Sequence, residues 1–258
     1  MVQSLQSNHI QIPASILKEF STVEHKENTL GFYEKLNKIY RMNMHGEIDY
    51  VNIDECNAQI GFYTQEKENE LQKIESAFGD VKKKIKQASK NKLKSVRLST
   101  AEYRIIKKFF MLSLSRSQRY IKSIKRHMIF GQFASGNLNE ILMSQIEQFD
   151  ILDDFVPSLI EIQGNSRFVL TQFYWYHFSI KSTSFAVMPI TPTLAIVLTK
   201  NLSTDSDTRE HVDLLHSRID DMNRIAILEE FNDNHQAVYA KSKEDLEKYV
   251  QYLKGLTI

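Results

Sequence analysis

Between Leu71 and Ala88 apolar residues recur at Leu71, Ile74, Phe78, Val81, Ile85 and Ala88. Alternating steps of three and four draw one stripe along an α-helix. Gly79 lies inside that run and weakens it without ending it, and Lys90-Asn91-Lys92 closes it. Ser99-Thr100-Ala101-Glu102 then matches a capping box, in which the serine hydroxyl and the glutamate carboxylate satisfy orphan amides at a helix start. The helix it opens carries Ile105, Phe109 and Leu112, thickened by Ile106, Phe110, Ile121 and Ile124, and is expected to run to about His127. The stretch from Leu71 to Phe130 therefore reads as a helical hairpin around which the rest of the chain is organised.

Upstream, Pro13 followed by Ile16, Leu17 and Phe20 predicts a short helix beginning near the proline. Thr29–Glu34 and Lys38–Met42 read as strands joined by a turn around Leu36-Asn37, and Glu47–Asn52 alternates like a third. Downstream, Asn137 is placed to cap a helix over Leu138–Phe149, and Ile151–Ile162 is an apolar piece interrupted by Pro157. From Arg167 the period turns strand-like, with Arg167–Gln172 and Ser184–Met188 bracketing the aromatic run Phe173–Phe178. Leu194–Thr199 reads as a strand buried on both faces. The tail predicts a helix over about Arg209–Phe231, a short extended Ala237–Ala240, and a last helix capped by Ser242 with Asp245. These elements predict one α+β domain, mostly α. Its central antiparallel helical hairpin packs on a small sheet that draws strands from both halves of the chain. The expected helical core covers about 64–163, the strand-containing parts about 27–63 and 166–200, and the C-terminal helices about 207–256.

Composition changes this picture little. Glycine (8) and proline (4) are scarce among 258 residues, which disfavours an all-β fold rich in tight turns. Cys56 is the single cysteine, so no internal disulfide forms, which suits a reducing cytosol and a cytoplasmic protein. Met1–Gln11 is polar and lacks the apolar core of a secretory signal. No run reaches the ~18 apolar residues of a membrane span.

Charge changes it more. The net charge is only +1, yet between Lys82 and Arg126 the only acid is Glu102. Lys82, Lys83, Arg104, Lys108, Arg119, Lys122 and Arg126 are candidates for contact with nucleic acid or another anion. The competing reading makes the same residues the solvated side of the hairpin, facing acidic segments later in the chain or across an oligomer. Arg116 is different in kind. It lies four residues from both Leu112 and Tyr120, on the apolar stripe, and an inward arginine needs a partner. No glycine-rich phosphate loop, Cys-x-x-Cys pair or His-Glu-x-x-His helix is present. His211 and His216 are five residues apart and do not share a helix face, and His216 with Asp220 makes only a weak metal pair. No metal or cofactor is assigned.

Several pieces taken in order resemble the bacterial domain-of-unknown-function 4238 family. Asn8, His9, Pro13, Leu17 and Phe20 resemble its opening motif, with one residue more between the histidine and the proline. Phe62, Tyr63 and Glu75 resemble its Phe-Tyr element and following helix, and Leu114-Ser115-Arg116-Ser117 its later helix with an arginine. Pro189-Ile190-Thr191-Pro192 looks like its Pro-x-x-Pro element, and Asn223, Val238 and Tyr239 like its closing elements. Where family members carry Ser-Asp-Asn-Pro, this chain reads Thr171-Gln172-Phe173-Tyr174, without the aspartate or the proline. The resemblance implies no known reaction, only an association with bacterial mobile elements and phage defence.

The resemblance groups His9, Glu75 and Arg116 as a candidate catalytic set, with His9 as general acid or base and Arg116 holding an anionic group such as phosphate. The alternative is a buried Glu75–Arg116 pair that fixes helix register. Asn223 and Trp175 are further candidates. Two functions compete: a nucleic-acid-acting defence or toxin component, with Phe173–Phe178 stacking on bases, and a non-enzymatic module that docks a protein partner. Sensing of a small anion at Arg116 is a third idea. The expected partners are nucleic acid or a protein, in a chain able to oligomerise and without a membrane segment.

Overall fold

Strand β3 (Tyr33–Met42) is the spine of the N-terminal half. It pairs antiparallel with β2 (Thr22–Glu27), β4 (Ile48–Asn52) and, from the far end of the chain, β10 (Val238–Ala240). Lys38 faces both Thr22 and Asn52, and Tyr40 faces both Ala240 and Tyr50. So β2 and β10 follow one another along one edge of β3, and β4 occupies the other. A computed structural model describes residues 8–9, 12–27, 32–56, 58–59, 65–93, 95–116, 121–122, 124, 138–147, 152–171, 176–180, 183–200, 217–232 and 237–254. Within these, β1 (Asn8–His9) pairs with β5 (Ala58–Gln59). A second four-stranded antiparallel sheet runs in the order β6 (Phe155–Glu161), β9 (Leu194–Lys200), β8 (Thr183–Thr191), β7 (Tyr176–Ile180). The helices are α1 (Ala14–Phe20), α2 (Gln65–Lys90), α3 (Thr100–Ser115), α4 (Leu138–Glu147), α5 (Ile219–Asn232) and α6 (Lys243–Lys254).

This architecture overturns the expectation of a mostly α fold on one small sheet. Two four-stranded antiparallel sheets share the fold with the helices. The physical reasons are local. Leu36-Asn37 looked like a turn, but it lies mid-strand in β3, where pairing with Glu24 and Val23 overrides the turn preference of asparagine. Pro157 looked like an interruption, but β6 is an edge strand and tolerates a residue with no N–H. Pro189 sits beside a register shift in β8, between its pairing with Ala195 and that of Thr191 with Leu194. Of the expected strand Arg167–Gln172, Gln172 lies outside the described residues, and Arg167–Thr171 form an isolated bridge, between Leu170 and Tyr239, rather than a strand. Helix α3 ends at Ser115 with Arg116 as its C-cap, well short of His127, although Ile121, Lys122 and Ile124 are helical. The expected start of the tail helix near Arg209 lies outside the described residues.

The hairpin itself is present. Glu75 meets Arg116, Phe78 stacks on Phe109 with ring centroids 3.7 Å apart, and Lys84 meets Glu102. As residue numbers rise along α2 they fall along α3, so the helices are antiparallel. Leu71, Phe78, Val81, Ile85 and Ala88 are buried, as their spacing predicts. Ser99 and Glu102 form the reciprocal capping box. At the other side of the connection α2 ends in a Schellman motif. Leu93 N donates to Ala88 O at 3.0 Å, Lys92 N donates to Ser89 O at 2.8 Å, and Lys92 takes a left-handed φ of 52°.

Two apolar clusters are built on this frame. The larger joins α1, α2 and α3 to the sheet of β6, β8 and β9. The smaller joins β3 and β10 to α5 and α6. The segment Phe168-Val169-Leu170 lies between them: Phe168 and Leu170 belong to the larger cluster and Val169 to the smaller. Tyr239 and its neighbours Val238 and Ala240 divide in the same way. That period of two is strand behaviour, even though only one bridge joins the segments.

Candidate functional site

Arg116 is 2% exposed and its Nη1 lies 2.6 Å from Glu75 Oε1. The pair spans the two hairpin helices at the end of α3, so the inward arginine has its carboxylate within the fold. His9 lies on β1, opposite Ala58. Phe62, Tyr63, Arg119, Arg126, Trp175, His211 and His216 lie outside the described residues. Tyr176, at the end of the aromatic run, is buried, and its hydroxyl donates to Val169 O and Asn223 Oδ1. Burial pushes the Cys56 thiol up to about 12, which leaves it protonated and unreactive at neutral pH. Among the described residues no three His, Cys, Asp or Glu gather to hold a metal.

The basic residues divide. Lys82 is 6% exposed and turned inward, where its ammonium donates to Ser15 O at 2.7 Å and meets Glu19 at 3.1 Å. Burial lowers its pKa against the opposing pull of Glu19. Lys83 pairs with Asp80 on the surface and Lys84 with Glu102. Arg104 and Lys122 are exposed, and Lys108 is half-buried. Solvation and internal pairing thus absorb several members of the basic run.

The cations gather elsewhere. A cleft of about 340 Å³ opens between the end of α1, the last turns of α2, the β8–β9 turn and the residue after β10. Lys86, Lys90, Arg167 and Lys241 line it, with Glu19 as the one carboxylate among the described residues. Thr191 and Thr193 add hydroxyls. Lys90 and Lys241 are exposed and make no ion pair among the described residues. Glu19 is divided between two ammoniums, meeting Lys86 at 2.7 Å and Lys82 at 3.1 Å. Burial raises its pKa, but the two lysines outweigh burial and hold the carboxyl below its ordinary range. Ser89, also in the lining, donates to Glu161 at 2.6 Å.

Backbone pairing assembles this cleft from distant segments. Phe168 N donates to Pro192 O and Ile162 N to Thr193 O, each at 2.8 Å, which holds the β8–β9 turn against the 162–168 segment. Leu170 and Tyr239 exchange two backbone hydrogen bonds of 2.7 Å, which bring Lys241 alongside Arg167. The guanidinium of Arg167 is held through Nη1, which donates to Gly164 O at 2.5 Å and Ser166 O at 2.7 Å. Its Nε and Nη2 make no bond among the described residues, so the side-on edge that suits two oxygens of an anion is left open.

Asn223 holds this segment from behind. Fully buried on α5, it donates through Nδ2 to Arg167 O at 2.7 Å and to the Tyr249 hydroxyl at 2.8 Å. Its Oδ1 accepts from Val169 N at 3.3 Å. Tyr249 in turn donates to Asp220 at 2.9 Å, and Asp220 also accepts from Lys248 and Ser166. Burial pushes the Asp220 carboxyl up, yet these donors together hold it below its ordinary value. Burial raises the Tyr176 and Tyr249 hydroxyls, so both stay protonated as donors. Asn223, a candidate on sequence grounds, is therefore a positioning residue for the backbone that carries Arg167.

Fold and site together define an α+β protein with two antiparallel sheets, a helical hairpin locked by an internal ion pair, and a cationic cleft. No protein-family model, curated protein or solved structure matches the chain. The cations of the cleft come from positions 86, 90, 167 and 241, and no spacing in the sequence links them. The lone basic residue Arg167, beginning an apolar segment, is the one local signal that points to it.

Proposed function

We propose that this is a cytoplasmic nucleic-acid-binding protein that grips phosphate at the cleft of Lys86, Lys90, Arg167 and Lys241. The observation that carries the reading is the imbalance of that cleft: among the described residues, four cations against one carboxylate that already serves two lysines. Lys92 and Arg97 on the hairpin connection and Arg104 in the first turns of α3 are exposed as well. Phosphate contacts of this kind supply affinity without reading sequence. The Glu75–Arg116 pair supports a register-fixing role over a catalytic one, so the reading is of binding, with no reaction attached. A defence or toxin setting rests on the family resemblance alone. Fluorescence anisotropy with labelled RNA and DNA over a salt series tests the proposal. Affinity is expected to fall steeply with salt and to drop in a Lys90→Glu/Lys241→Glu chain. No binding at low salt refutes it.

A second reading, docking of a protein partner, is favoured by the β2–β3 ribbon. Val23, Phe32 and Tyr33 are 48%, 69% and 72% exposed there, large apolar groups on a two-stranded arm. If the arm joins copies of the chain, a Phe32→Ser/Tyr33→Ser variant dissociates an assembly in sedimentation velocity. A wild-type chain that sediments as a monomer at high concentration removes that version.

A further inference from the structure

We infer that the cleft recognises a terminal phosphomonoester, the phosphorylated end of a strand, in preference to the diester backbone; this rests on the nucleic-acid reading above. Three features concentrate charge at one point. Lys90 and Lys241 project ammoniums with no carboxylate of their own among the described residues. Arg167 is fixed through Nη1 to two carbonyls, and its Nε–Nη2 edge is left to receive two oxygens of one anion. Lys86 adds the charge that Glu19, shared with Lys82, does not neutralise.

A diester carries one negative charge per phosphate. A phosphomonoester carries about −1.5 to −2 at neutral pH and three terminal oxygens. The second matches a cluster of this density, and the first leaves cations unneutralised. Size points the same way. At about 340 Å³ the cleft holds a phosphate and its sugar, at the small end of ligand sites, and offers no long track for a strand. The hydroxyls of Thr191 and Thr193 stand on the β8–β9 turn within the lining, neutral donors for the remaining oxygens. Thr193 N donates to Thr191 Oγ1 at 3.2 Å, so that side chain is already oriented by the turn.

The test measures binding of the full chain to one short oligonucleotide made with a 5′-phosphate, with a 3′-phosphate, or with hydroxyls at both ends, and to a nucleoside 5′-monophosphate alone. A phosphorylated end is expected to bind about tenfold tighter than the hydroxyl form, the worth of one added charge-assisted contact. That preference is expected to vanish in Lys90→Ala and Lys241→Ala, whose exposed side chains are not needed for folding. Equal affinity for phosphorylated and hydroxyl ends overturns the end-recognition proposal and leaves the nucleic-acid reading standing. A monophosphate that binds through Lys90 and Lys241 while no oligonucleotide does supports the phosphomonoester site and refutes the nucleic-acid reading. No binding of any of these ligands overturns both.

Discussion

Replacing Asn223 with alanine removes four hydrogen bonds at once, and the structure says which losses matter. The Tyr249 hydroxyl loses one donor but keeps Asp220 as its acceptor at 2.9 Å. The Tyr176 hydroxyl keeps Val169 O. Two main-chain groups lose the partner that Asn223 provides: the Val169 N–H, in a residue with no exposure, and the Arg167 carbonyl, which is only partly buried. An unsatisfied buried group costs about 1–3 kcal/mol, with the partly buried carbonyl at the low end because water can reach it. The sum, with the volume lost, predicts destabilisation of about 2–4 kcal/mol. Asn223→Asp is expected to cost at least as much. It keeps the acceptor but turns a donor into a second acceptor facing Arg167 O, and it brings a charge into a position with no exposure. Urea unfolding reads both variants, provided the slope with denaturant stays that of the wild type. The same chains, folded at low temperature, should bind anions more weakly, because the segment that fixes Arg167 is loosened. A loss below about 1 kcal/mol for Asn223→Ala would refute the clamp.

Glu75→Gln should destabilise by about 3 kcal/mol and Arg116→Met by less, because the glutamate left behind in the second case is 22% exposed and rehydrates, whereas the arginine left in the first is 2% exposed. Thermal and urea unfolding of both variants and their double mutant check this, and equal single losses contradict it. Gly79→Ala should stabilise by about 0.5–1 kcal/mol, since an added Cβ there meets nothing within 4 Å and glycine is costly in mid-helix. Gly46→Ala should destabilise in the same unfolding assay: its φ is +78° and the new Cβ would lie 3.0 Å from Val250 Cγ1. Stability should also fall on acidification below about pH 4, because Glu19 and Asp220 hold their charge to lower pH folded than unfolded. Their contribution is complete above the unfolded pKa and is lost as pH drops through the folded one. Glu19→Gln should flatten that acid limb in denaturation curves taken across the range.

What could be read from the sequence was what local chemistry decides. The α2 stripe, the Ser99 capping box, the Ser242 cap and the doubly buried β9 each depend on residues a few positions apart, and each is in place. The sheets were under-read because pairing partners are remote. Asn37 sits in β3 because it pairs with Val23 of β2, and Pro157 sits in β6 because no strand among the described residues lies beyond that edge. The site shows the same limit more strongly. Arg116 could be flagged because a charge on an apolar stripe is a local contradiction, and Glu75 resolves it. Lys90 and Lys241 contradict nothing locally: each is an ordinary exposed lysine at or just past the end of an ordinary element. They acquire meaning only when the Leu170–Tyr239 bridge and the Phe168–Pro192 bond bring β10 and the β8–β9 turn to Arg167. Asn223 joins the two levels. It is a polar residue among apolar ones, marked by its local pattern, and its task is to hold in place the main chain of Arg167. An anion site built this way depends on the packing of α5 and α6 behind it. Loss of that packing should therefore weaken binding before any residue of the cleft is touched.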